Sequence, residues 1–169
     1  MTEDDSLSPQ PARGRAPDGS EARWRRLTAA ANAAFEAEEH EAAARTYRLA
    51  LTEARRAFRR ARAQSAEDMR RAAPMLVISG GNLARNEAAC GRAGEGLAPL
   101  RSVVSELQGV MADAAAAQTV REACARNLPR ALLDLVQAMT DAGCAGAAID
   151  ETVRAVRSAA LTYWNARAT

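Results

Sequence analysis

His40 is the only histidine in the chain, so no catalytic triad, zinc cluster or histidine-paired cysteine nucleophile can be built around a second imidazole. It reads as a turn residue packing over a helical hairpin. Glu36, Glu38, Glu39 and Glu41 crowd the same turn. Paired acids do acid–base work in a closed cleft, but a turn between amphipathic helices is open to water, and these four read as a solvated charge run. Ser79-Gly80-Gly81-Asn82 has the glycines of a phosphate loop without the following Gly-Lys-Ser/Thr, and Leu83-Ala84 continues a helical period. Each glycine costs a helix about 1 kcal/mol relative to Ala, so the pair predicts a neighbouring helix pressed against the backbone there.

Arg55, Arg56, Arg59, Arg60 and Arg62 form the densest basic run. They could touch phosphates, but they sit near a helix C-terminus, where cations offset the macrodipole, and only Phe58 is interleaved as a stacking platform. A structural role is expected. Cys90, Cys124 and Cys144 are odd in number, far apart and set among Ala and Gly. They fit neither metal-ligand nor disulfide spacing and are expected to be buried, inert thiols in a reducing compartment. No catalytic set emerges, so neither an enzyme nor a metal or cofactor is expected.

The 169 residues leave room for one domain and a tail. Apolar residues make up 48% of the chain and aromatics 4%, with Ala dominant, a mix that favours closely packed helices over a sheet core. Net charge is +2, with every Lys/Arg position filled by Arg, too small a field to imply nucleic acid or an anionic membrane. The N-terminus lacks a signal-peptide pattern, and no apolar run is long enough to span a bilayer. A cytoplasmic location with no membrane partner follows as the expectation.

Residues 1–19 combine Pro, Gly and mixed charge without an apolar period and read as a disordered tail. Ser20 is the expected N-cap of a first helix with Trp24, Leu27, Ala31 and Phe35 on one face. A second helix carries Ala43, Tyr47, Ala50, Leu51, Ala54 and Phe58 to about Arg62. Ser65 and Asp68 cap a third, which holds Pro74 in its first turn or at a kink and runs to about Cys90. A fourth begins near Pro99, a fifth closes at Ala142 and Gly143, and Ile149, Val153, Val156, Ala160 and Tyr163 define a sixth. The spacing predicts three hairpins, about 20–62, 65–112 and 115–166.

These hairpins repeat. Aligning them places Glu38, Gly91 and Gly143 in one register, stacks Ala43 with Gly96 and Ala148, and stacks Ala50 with Val103 and Ala155. Small residues therefore recur where the second helix of each hairpin would press on the first.

The stretch AANAAFEAEEHEAAARTYRLAL, residues 30–51, resembles a tetratricopeptide repeat: Ala31, Phe35, Ala43, Tyr47 and Ala50 fall at that motif's spacing around a turn, with Glu38 in the place of the usual glycine. NLARNEAACGRAGEGLAPL, residues 82–100, keeps Leu83, Ala84 and Gly91 but lacks the aromatics. The period is about 52 residues rather than the usual 34 or so, a long-helix variant. The resemblance implies an all-α fold of three antiparallel hairpins in a right-handed superhelix, with the first helices lining a concave groove for a peptide or partner helix.

In that family's register the groove is lined by Thr28, Asn32, Phe35 and Glu36, by Ile78, Asn82 and Arg85, and by Arg130, Leu133, Gln137 and Asp141. Asn32, Asn82 and Arg130 coincide with members of the carboxylate clamp that some tetratricopeptide proteins use on chaperone tails. Thr28 and Asp134 stand where that clamp has basic groups, which argues against such a tail. The implied function is a protein- or peptide-binding adaptor or chaperone module. The alternative is a structural homo-oligomer, such as a dimer, joined through exposed helical ends that include Leu161 and Trp164.

Overall fold

The apolar stripes at three- and four-residue spacing fold as helices in the computed structural model, which describes residues 19–166. The described residues form six α-helices and no strand: α1 (Gly19–Glu36), α2 (His40–Gln64), α3 (Ala66–Ala89), α4 (Leu97–Ala112), α5 (Gln118–Asp141) and α6 (Gly146–Asn165). A short 3₁₀ turn, Ala93–Gly96, leads into α4. The fold is all-α, and its six helices follow one another in the pairs α1/α2, α3/α4 and α5/α6, each packed against neighbours. The proposed tail lies outside the described residues except for Gly19, which is the first residue of α1. Ser20 is likewise inside the helix rather than its cap, and its hydroxyl accepts a hydrogen bond from Arg60 instead.

All three hairpin turns end the first helix in the same way. Glu38, Gly91 and Gly143 have φ of 61°, 74° and 69°. Each is followed by a backbone N–H that reaches back past the turn: Glu39 to the Ala34 carbonyl, Arg92 to Glu87 and Cys144 to Met139. This double closure satisfies carbonyls that a helix end would otherwise leave unpaired. Ser65 behaves as expected, its hydroxyl accepting from the Asp68 N–H at 3.1 Å to start α3. Pro74, by contrast, falls well inside α3 rather than in its first turn.

The core runs the length of the stack, from Ala31, Tyr47 and Phe58 through Met69, Leu76, Leu100 and Leu107 to Leu128, Leu135 and Met139. Helix α2 packs against α1 and α3, while α5 packs against α3 and α4. The predicted close approaches are present. A Cβ on Gly80 would lie 3.0 Å from Val103 Cγ2, and one on Gly96 would lie 2.8 Å from the Ala84 backbone. Of the two stacked columns, Ala43, Gly96, Ala50 and Val103 are buried, but Ala148 and Ala155 are exposed. The third hairpin departs from the repeat because α6 is the last described helix and buries Val156 and Tyr163 alone, with no further helix among the described residues to cover its other side.

The basic run bridges helices. Arg55 meets Glu106 at 2.9 Å and Arg62 meets Asp113 at 2.5 Å, both joining α2 to the second hairpin, while Arg56 holds Glu53 at 2.7 Å. The Arg62 hydrogen bond, joined by the Ala115 backbone N–H, holds the Asp113 carboxyl below its ordinary range. Guanidinium groups committed in this way form a seam rather than a phosphate site.

Candidate functional site

Ile78, Asn82 and Arg85 recur at four- and three-residue steps and so share one face of α3; Asn127, Arg130 and Asp134 do the same on α5. The two faces meet across a cavity of about 300 Å³, completed by Pro74, Val77 and Gly81. Gly81 makes the approach possible, since a Cβ there would lie 2.8 Å from the Asp134 carboxylate. Within the cavity Arg130 Nε donates to both Asp134 oxygens, at 3.0 and 3.2 Å. Arg85 is placed differently. It donates to the neutral Asn82 carbonyl at 3.2 Å and has no carboxylate partner among the described residues.

A polar track continues from Arg85 toward α1. The Tyr47 hydroxyl donates to Asn32 Oδ1 at 2.8 Å, joining α2 to α1. Burial pushes the Tyr47 phenol up; the Arg85 guanidinium pulls it back and the Glu36 carboxylate raises it further. Asn32, Glu36, Tyr47, Arg85 and Asn82 therefore share one electrostatic environment across three helices. Trp24 fixes the approach of α1 to α3, its indole N–H donating to Ser79 Oγ at 2.8 Å.

The structure thus gathers Ile78, Asn82, Arg85 and Arg130 in one cavity and connects Asn32 and Glu36 to it through Tyr47. It does not gather the rest. Thr28 is half-buried, with its hydroxyl oxygen enclosed and unbonded among the described residues. Phe35 packs on the core and sets its ring edge-on to His40 at 5.3 Å. Gln137 turns away to bond Asp141 at 2.8 Å. Leu133 faces the far side of α5, away from α3. Arg130, expected to meet a ligand, is already neutralised by Asp134 one turn along its own helix.

Six α-helices follow one another from residue 19 to residue 165, and nearly the same span is matched as a whole by a known family. The chain belongs to the DUF2753 family. That family is described as proteins of unknown function, and the match covers residues 22–168. Comparison with curated proteins and with solved structures gives no match.

Other sequence candidates in this DUF2753 member resolve into packing. His40 starts α2, and its carbonyl accepts from Asn86 Nδ2 at 3.1 Å. Glu36, Glu38, Glu39 and Glu41 are exposed, as a wet turn requires. Cys124 is buried and its thiol is pushed up to about 12 by burial, but Cys90 and Cys144 are partly exposed, correcting the expectation that all three are enclosed. Both stand beside the hairpin turns, where the chain leaves the core. Among the described residues no His, Cys, Asp and Glu cluster could hold a metal ion, and no helix is long and apolar enough to cross a membrane. Tyr47, Asn127 and Asp134 were missing from the sequence-derived site. The (i, i+4) spacing of Arg130 and Asp134 is the signal that could have flagged that pair.

Proposed function

We propose that this DUF2753 protein is a binding module, an adaptor or chaperone that holds an extended, acidic segment of another polypeptide along the face shared by α1, α3 and α5. The observation that carries this reading is the Arg85 guanidinium, which stands at the mouth of the α3–α5 cavity with only a neutral amide against it. A guanidinium in that state can take a carboxylate through two parallel hydrogen bonds, while Asn82 and Asn32 can each bond a bound backbone through both amide atoms. Ile78, 44% exposed beside them, supplies an apolar contact for a side chain of the segment.

The test is a paired measurement on Asn82→Ala and Arg85→Ala. Losing a charge-assisted hydrogen bond should weaken capture of wild-type partners by about 1.5 to 3 kcal/mol, whereas exposed polar-to-Ala changes alter stability by about 0.5 kcal/mol or less. Undiminished capture by both variants sinks the reading. The rival, a homo-oligomer joined through the ends of the stack, is separated by sedimentation at low concentration, where a strict monomer removes it.

A further inference from the structure

The last hairpin is not packed like the two before it. Val156 and Tyr163 are the buried residues of α6, whereas α5 buries residues along its whole length. Between them lies a cleft of about 450 Å³ whose walls include Leu132, Leu133 and Val136 from α5 and Val153, Val156 and Trp164 from α6. Arg157 is the one charged side chain lining it, and no carboxylate does.

The internal register says what belongs there. With α5 following α3 by about 52 residues, Pro129 and Leu133 stand where α3 has Val77 and Gly81. In α3 those two positions face the first helix of the next hairpin: both line the α3–α5 cavity, and Gly81 receives the Asp134 carboxylate. Pro129 and Leu133 accordingly face the place of a fourth hairpin's first helix. Leu133 is 62% exposed there. Among the described residues nothing covers this face, and a hydrophobic face at the end of a helical stack needs a cap.

We propose that the α5–α6 cleft receives an amphipathic helix of a partner protein, seated as the first helix of a fourth hairpin, with its apolar stripe on Leu133, Val136 and Trp164 and an acidic edge toward Arg157. Charge selects the occupant. Arg157 lines the cleft and makes no ion pair among the described residues, so the rim sets one cation beside an apolar floor, while Arg154 lies farther along α6 beside Asp150. A second copy of this chain is a poor occupant. Among the described residues its exposed large apolar side chains are Leu49, Ile78, Leu133, Leu161 and Trp164, and of these only Leu161 and Trp164 lie one turn apart on a single helix. That helix is α6, where Arg157 stands one turn before Leu161 on the same face and would meet the Arg157 of this rim, the acids Asp150 and Glu151 lying toward the other end of the helix.

The test uses the full chain and two labelled synthetic peptides. One is an amphipathic helix with Leu at i, i+3, i+4 and i+7 and Glu along one edge; the other has Lys in place of Glu. Fluorescence anisotropy should show the Glu peptide binding at least about tenfold more tightly, the ratio expected for one charge-assisted contact. Arg157→Glu should reverse that preference. Leu133→Asp should abolish binding without lowering the melting temperature, while Arg85→Ala should leave binding unchanged, which separates this site from the concave groove. Equal binding of the two peptides, or binding indifferent to Leu133→Asp, overturns the proposal. So does a wild-type dimer in sedimentation equilibrium that Leu133→Asp dissolves, because the occupant is then a second copy.

Discussion

Glu87 on α3 receives the Arg48 guanidinium of α2 at 2.6 Å, although the carboxylate is 1% exposed and the two residues are far apart in sequence. Arg92 meets the same carboxylate from the other side at 2.9 Å and also holds Glu41 at 2.7 Å. The hydrogen bonds to Glu87 and Glu41 raise the Arg92 pKa, so its charge is fixed throughout the accessible pH range. A carboxylate buried between two arginines locks the turn of the first hairpin to that of the second. Glu87 is the buried acceptor of both guanidinium groups, and each hydrogen bond to a charged group contributes about 1.5 to 3 kcal/mol. Glu87→Ala should therefore cost about 3 kcal/mol of stability. Arg48→Ala should cost less, because that side chain is half exposed and Arg92 still covers Glu87. Equal melting temperatures for Glu87→Ala and wild type would show the network to be ornamental.

The three hairpin turns share one backbone conformation but not one residue type. A non-glycine residue in the left-handed region costs about 1 kcal/mol or more, because its Cβ crowds the following carbonyl. Glu38 sits there with φ of 61° and makes no side-chain hydrogen bond among the described residues. Glu38→Gly should raise stability by about 1 kcal/mol, and Gly91→Ala should lower it by a similar amount, both read as denaturation midpoints at unchanged slope.

That turn column is legible in the sequence because it depends on local backbone chemistry: Glu38, Gly91 and Gly143 fall in one register of the repeat, and they are the left-handed positions among the described residues. The helices were legible for the same reason, each carrying an apolar stripe of helical period. Pairing between side chains was not. Arg130 reads as an available cation when it is placed by the family register alone, whereas its (i, i+4) spacing from Asp134 on one helix is what takes its charge. Nor could the register foresee that Ala148 and Ala155 stay exposed, since a repeat predicts a neighbour on both sides and the end of the stack has one.

Cys124 offers a pH-dependent readout. Burial pushes its thiol from 9.0 up to about 12, so between those values the unfolded chain releases a proton that the folded chain retains. The contribution to stability is complete below about pH 9 and is lost as pH rises toward about 12. Cys124→Ala should flatten the alkaline fall in stability relative to wild type. In native protein a thiol reagent should label Cys90 and Cys144 first, with Cys124 following only on unfolding.

Asp134 decides how many cations the groove presents. It holds Arg130 at 3.0 Å and rests against the Gly81 backbone, so the cavity offers Arg85 alone to an incoming carboxylate. Asp134→Asn keeps the shape and removes the charge that neutralises Arg130. Folding should change by roughly 0.5 kcal/mol, the scale of a partly exposed (i, i+4) pair. If the ligand is acidic, the freed guanidinium adds a second charge-assisted contact, and capture should strengthen by about tenfold at low salt. Raising the ionic strength should erode the gain, because a groove open to water is screened. The informative comparison is Asp134→Asn against Arg130→Ala, measured as partner retention across a salt series. Tighter retention in the first and wild-type retention in the second is the pattern expected when Arg130 is present but occupied. Weaker retention in Asp134→Asn would mean that the carboxylate itself holds the ligand, and the groove would then select a basic segment instead.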